Sequence, residues 1–165
     1  MLSRGLPFVA AMVLAVSVGT NAGLAQATDD AGESARDSAA LKACLKAKGI
    51  HARDQYGCIF SIANACIGDS EVPGTQIDCH NREQRAWDRI LNASYRVLRD
   101  SLDDDQRIKL REMQRAWLDA RKRSCEFLYV YFQGSMAYPM MAYCDNEETA
   151  RRAIFLLGFG VDAKR

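Results

Sequence analysis

Two long runs of apolar residues at helical spacing, joined by only two or three residues, restrict this chain more than anything else in it. In the first, Trp87, Leu91, Tyr95, Leu98 and Leu102 recur at steps of four, four, three and four. In the second, Leu110, Met113, Trp117, Ala120, Ser124, Phe127 and Tyr131 alternate steps of three and four. Each run is the buried stripe of an amphipathic helix that needs a partner. The spacing predicts one helix over about 75–101 and another from about Asp104, folded back as an antiparallel hairpin about 40 Å long at a rise of about 1.5 Å per residue. In that register Trp117 falls beside Trp87 and Asp88, with both tryptophans in the core. Asp103 and Gln106 have capping-box spacing, and Thr75 with Asp78 reads as a helix start.

The rest of the chain extends the same pattern. Ser34 to Lys48 is rich in Ala, Leu and Lys and stops at Gly49, and Cys58 to Ile67 is a short apolar helix ending at Gly68. Residues 28–33 read as a frayed leader, 50–57 as a loop, and 68–74 as turn chemistry. Gly134 and Pro139 end the fourth helix in a loop, and Asp145 with Glu148 starts a last helix over about 146–157. No segment alternates as a strand would. The expected fold class is all-α, an antiparallel helical hairpin with additional short helices, stapled by disulfides.

Residues 1–27 combine Arg4, an apolar stretch from Leu6 to Val18 and a small-residue exit, with Ala25 and Ala27 as an A-x-A pattern. They read as a secretory signal peptide cleaved after Ala27, or after Ala25. The apolar run is shorter than the roughly 20 residues of a membrane span, so no permanent membrane anchor is expected. Without Arg4, basic and acidic side chains balance at 21 each. That balance lacks the basic excess that nucleic acid demands.

Export makes disulfides the default state of the six cysteines, Cys44, Cys58, Cys66, Cys79, Cys125 and Cys144. If Trp87 and Leu91 lie on the hairpin seam, Cys79 and Cys125 point away from it. Although they lie at nearly one level, they do not satisfy the converging geometry a disulfide needs. Each instead suits an element packed on the outside of the hairpin. The expected pairs are Cys66–Cys79 across the turn at Pro73 and Gly74, Cys125–Cys144 across the turn at Gly134 and, by elimination, Cys44–Cys58.

The segments EQRAWDRILNASYRVL (83–98), LREMQRAWLDARKRSC (110–125) and CDNEETARRAIFLL (144–157) resemble the LprI-like lysozyme-inhibitor domain family of small secreted bacterial proteins. Trp87, Asp88, Leu91, Asn92 and Tyr95 carry the resemblance in the first segment. In the second it rests on Leu110, Arg111, Gln114, Arg115, Ala116, Trp117, Arg121 and Cys125. Cys144, Thr149 and Arg152 close it, and Cys66, Thr75 and Cys79 precede it. The domain boundaries that follow are 1–27 for the signal peptide, 28–65 for an N-terminal helical extension and 66–160 for the LprI-like domain. Two departures stand out: Lys122 where an acidic residue commonly follows the motif Arg, and a single Gly134 where a Gly pair is usual.

The resemblance implies an exported binding module whose partner is a lysozyme or another periplasmic envelope protein. The motif residues read mainly as structural, with Arg121 expected to pair with Asp88. The basic residues Arg111, Arg115, Arg121, Lys122 and Arg123 are interleaved with Glu112, Asp119 and Glu126, as on a solvated helix face. The apolar, methionine-rich stretch 132–144, with Gln133, Gly134, Ser135, Met136, Tyr138, Met140 and Met141, is the candidate interaction loop. The alternative is a structural or small-ligand-binding periplasmic helical module.

No catalytic residue, metal site or cofactor is expected. The two histidines, His51 and His80, stand beside no nucleophile motif and at no zinc spacing. Asp103, Asp104 and Asp105 lack an EF-hand loop. The carboxylates Glu83, Asp88, Glu147 and Glu148 could be drawn as a glycosidase pair, but any acidic helical protein offers such pairs.

Overall fold

The computed structural model describes residues 22–162, with side chains described over 32–160. Most of the expected signal peptide, residues 1–21, lies outside the described residues. Six helices follow in order: α1 (Ala22–Lys48), α2 (Ala52–Gln55), α3 (Ser61–Ile67), α4 (Pro73–Asp100), α5 (Asp104–Phe132) and α6 (Ala137–Asp162). Single 3-10 turns cover Tyr56–Cys58 and Gly134–Met136. The described residues contain no strand, and no described helix is long and apolar enough to cross a membrane.

Several boundaries move from their expected places. Residues 28–33 are helical within α1, where alanine-rich sequence on both sides carries the helix through Gly32. Thr75 is not the cap of α4: the helix starts at Pro73, whose fixed φ and missing N–H suit a first turn. The stretch taken as an interaction loop is largely helical. Only Gln133–Met136 form the turn, and Pro139 sits in the first turn of α6, starting the helix that it was expected to exclude. Asp103 does form the capping box, accepting the Gln106 N–H at 2.8 Å while Gln106 Oε1 accepts the Asp103 N–H at 3.1 Å.

The three disulfides are the expected ones, Cys44–Cys58, Cys66–Cys79 and Cys125–Cys144, with Cα–Cα distances of 6.0, 5.6 and 5.5 Å. The first two staple the 3-10 turn at Cys58 onto α1 and α3 onto α4, the third joins α5 to α6, and together they place the protein in an oxidising, extracytoplasmic setting.

The hairpin partner is the main correction. α4 and α5 turn back at Ser101–Asp103, but they splay apart, and α6 fills the space and packs on both. α6 runs antiparallel to α5, with Arg152 meeting Gln114 and Cys144 meeting Cys125, and therefore parallel to α4. α1 also runs with α4, Ser38 reaching the Ala86 carbonyl at 3.2 Å near one end, while residues from Leu45 to Ile50 line one cavity with residues from Ile90 to Leu98 toward the other. Small side chains permit the close central approach: Ala86 of α4 and Ala150 and Ala153 of α6 are fully buried, with Trp87, Ile90, Ile154 and Leu156 around them.

Changing partner rotates the buried face of α5. Leu110, Met113 and Trp117 pack as the sequence stripe predicts, with Met113 and Trp117 only partly buried. Beyond them Ala120, Ser124, Phe127 and Tyr131 are exposed, and Arg121, Cys125 and Leu128 turn inward instead. The face slips by one residue because α6, not α4, covers the second half of the helix.

Candidate functional site

Two surfaces hold the residues singled out by the sequence. The first is a groove of about 310 Å³ between the splayed α4 and α5. Asp88, Leu91, Asn92 and Tyr95 line one wall, and Arg111, Gln114, Arg115 and Trp117 the other. These motif residues share one level, as the hairpin register requires, yet they face each other across open space.

The hydrogen bonds show what most of them do. Asn92 Nδ2 donates to the Asp88 carboxylate at 2.7 Å and to its carbonyl at 2.9 Å, so Asp88 is engaged within α4. The expected Arg121–Asp88 pair does not form. Arg121 turns toward α6, donating to Thr149 Oγ1 at 2.8 Å and standing 3.7 Å from Asp145. The Thr149 hydroxyl in turn donates to the Asp145 carbonyl at 2.6 Å. Burial pushes the Asp145 carboxyl above its usual range, and the Arg121 charge opposes that shift.

Two guanidinium groups lie over the Trp117 ring, Arg121 at 5.0 Å and Arg152 at 5.5 Å from its centroid. Arg152 also donates from Nε to Gln114 Oε1 at 2.9 Å. Gln114, Trp117, Arg121, Thr149 and Arg152 are thus one clamp joining α5 to α6. Trp87 lies fully buried in the core cluster against which the partly buried Trp117 packs.

Glu83 is the residue whose role the sequence reading missed. It is fully buried, and its carboxylate accepts the backbone N–H groups of Phe60, Ile62 and Ala63 at 2.7, 2.9 and 2.7 Å and the Trp87 indole N–H at 2.9 Å. A carboxylate from α4 therefore caps the start of α3, where unpaired N–H groups attract negative charge. It also holds Phe60 in a left-handed conformation, φ 68°, with its ring stacked on Tyr143 at 4.4 Å and edge-on to His80 at 5.8 Å. The signal was present in the sequence: Glu83 lies four residues before Trp87 on the buried stripe, and a charge there requires a partner.

The second surface is the tip of the α5–α6 hairpin. Phe127, Tyr129, Val130, Tyr131, Phe132, Met136 and Tyr138 are all exposed, Val130 and Tyr131 by 66% and 68%. Residues 127–143 contain no charged side chain. Gln133, Gly134, Ser135 and Met136 stand on the exposed turn and Tyr138 is exposed in the first turn of α6, whereas Met140 and Met141 are half-buried and Ala137 and Pro139 are buried in the base. A shallow depression among Phe127, Tyr131, Phe132, Met140 and Tyr143 lies directly above the Cys125–Cys144 bridge. Tyr129 pairs with Tyr138 across the tip at 5.4 Å, and Phe127 with Tyr131 along α5 at 6.0 Å. Isolated exposed apolar residues are ordinary, but here they form an uncharged, aromatic group on a disulfide-closed turn.

The family model described as lysozyme inhibitor LprI matches residues 66–156, more than half of the chain. The chain belongs to the lysozyme inhibitor LprI family. The matched span begins at Cys66, contains all of α4 and α5, and ends within α6. It therefore includes the groove, the Arg121–Thr149–Arg152 clamp and the aromatic tip of this LprI-family domain. Searches of curated proteins and of solved structures return no match.

Proposed function

We propose that this LprI-family protein is an exported, non-catalytic binding module that occupies a lysozyme-type glycan hydrolase through the tip of its α5–α6 hairpin. The carrying observation is the uncharged aromatic patch from Phe127 to Tyr138 on a turn closed by the Cys125–Cys144 bridge. Tyrosine and phenylalanine bury large areas at small entropic cost, and the absence of ions means no charge must be desolvated on docking. A protruding turn also suits entry into the concave cleft in which a glycosidase holds its saccharide.

The carboxylates support binding over catalysis. Glu83 is consumed by three backbone N–H groups and an indole, Asp88 is bound by Asn92, and Glu147 accepts two hydrogen bonds from Arg151 at 2.6 and 3.1 Å. Export rests on the signal-peptide pattern of residues 1–27, which the fully paired cysteines suit.

The test is a lysozyme lysis assay with purified oxidised protein. Inhibition at near-stoichiometric protein is expected, and the Phe127→Ser, Tyr131→Ser double variant should weaken it at least tenfold with an unchanged melting temperature, since both side chains are exposed. Full inhibition by that variant would remove the tip from the interface, and no inhibition of any lysozyme class by the native protein would refute the reading.

A further inference from the structure

A third opening lies apart from the motif residues and from both the groove and the aromatic tip. The C-terminal halves of α1, α4 and α6 run side by side in the same direction, and between them lies an apolar cavity of about 520 Å³. Leu45 from α1, Ile90, Ala93 and Leu98 from α4, and Leu156 and Leu157 from α6 form its walls. Its size and lining are those of a small-molecule site. Larger helical side chains would have closed the gap, but position 93 carries only the methyl group of alanine.

The mouth has a definite polarity. Lys42 and Lys46, one turn apart on α1, line it, and neither forms an ion pair among the described residues. Their alkyl stems extend the apolar wall while their ammonium groups reach water. Gln55 closes one side, its amide donating to the Gly49 carbonyl at 2.7 Å, and the Ser94 hydroxyl is turned away from the cavity's chemistry by donating to the Ile90 carbonyl at 2.9 Å. Both polar side chains are thus tied to the backbone of their surroundings, and the rim offers two cations.

We propose that this cavity is a binding site for a single-chain amphiphile with an anionic head, such as a free fatty acid, its chain among Ile90, Ala93, Leu98 and Leu156 and its carboxylate between Lys42 and Lys46. The chain supplies apolar area to walls that would otherwise face water, and the head supplies the counter-charge that the α1 lysines lack. The site is independent of the aromatic tip, since its walls come from the opposite ends of α4 and α6.

Calorimetric titration of the purified oxidised protein with decanoate, and separately with 1-decanol, tests the assignment. Decanoate should bind saturably with one site per chain. Lys42→Gln with Lys46→Gln should weaken decanoate about tenfold and leave decanol within about twofold, because only the acid uses the charge. Ala93→Trp should abolish both by filling the cavity. Val97→Trp, at an exposed position on the rim, should do the same without entering the core, and it guards against a folding defect in the first variant. Absence of saturable binding, decanoate binding unchanged in both tryptophan variants, or equal loss of acid and alcohol in the lysine variant would each overturn the proposal. Association with phosphatidylglycerol vesicles that persists in Ala93→Trp, in place of decanoate binding, would show that the lysines serve a membrane surface, and would overturn it as well.

Discussion

At the scale of single residues, the buried polar groups decide more than the apolar ones. Glu83 ties α3, α4 and the left-handed Phe60 together through four hydrogen bonds that its carboxylate accepts. Glu83→Ala strands three backbone N–H groups and an indole in the interior, and should cost roughly 3–5 kcal/mol in urea unfolding at neutral pH. A loss below about 1 kcal/mol would show that another group serves the α3 terminus. Next to it, His80 is buried edge-on to the stacked rings of Phe60 and Tyr143, its Nδ1 without a protein partner. Burial lowers its pKa below 6.5, and the nearby Glu83 charge only partly opposes this. The unfolded chain therefore takes up the proton first, so the stability due to neutral His80 is full above about pH 6.5 and declines as pH falls toward the folded-state value. Unfolding free energies measured from neutrality to about pH 5 should fall in the native protein, and should fall less in His80→Phe. An identical pH slope in the two proteins would remove His80 as a source of the acid sensitivity.

At the scale of elements, what the sequence made legible follows from how local each cause is. The turn at Leu102, the Asp103 cap and the start of α5 depend on a few neighbouring residues, and they stand where the pattern puts them. The cysteine pairs were legible because the α4 stripe and the short turns beside Cys79 and Cys125 disfavour a bridge between those two, with Cys44–Cys58 left by elimination. Cys125 nevertheless lies on the buried face, where the stripe puts Ser124. The choice of partner for α5 was not, since a stripe at steps of three and four states that a face is buried but not what covers it. α6 took that place, and its own length was hidden by Pro139, which reads as a stop signal in isolation and acts as a first-turn residue here. The motif was legible as residues but not as an arrangement: Arg121 found Thr149 rather than Asp88. One departure from the family pattern gains a physical meaning in the same place. Gln133, standing in the turn before the single Gly134, has φ 50° and ψ 165°, a region that favours glycine. Gln133→Gly restores the pair and should raise stability by roughly 1 kcal/mol, the relieved strain outweighing the entropy that glycine adds to the unfolded chain. A lowered melting temperature would mean that the Gln133 side chain contributes more than its backbone costs.

Over the whole molecule, burial is distributed very unevenly among the three long helices of the family domain. α4 buries Cys79, His80, Glu83, Ala86, Trp87, Ile90, Leu91 and Leu98, and α6 lies against it through Ala150, Ala153, Ile154 and Leu156, whereas α5 buries only Leu110 and Cys125. Local opening costs least where few apolar contacts must be broken. The central amides of α4 and α6 should therefore exchange with deuterium only through global unfolding. Those of α5 between the Arg121 clamp and Phe132 should exchange faster by local opening, restrained at one level by the Cys125–Cys144 bridge. This difference bears on the proposed interface, because the exposed aromatic side chains stand on the least anchored stretch of the domain and can reorient without disturbing the α4–α6 core. Binding a partner at the tip should slow exchange over residues 126–138 and leave the centre of α4 unchanged. Uniform protection along α5 in the free protein would show that the helix is held by more than its two buried residues and its clamp, and the tip would then meet its partner as a rigid surface.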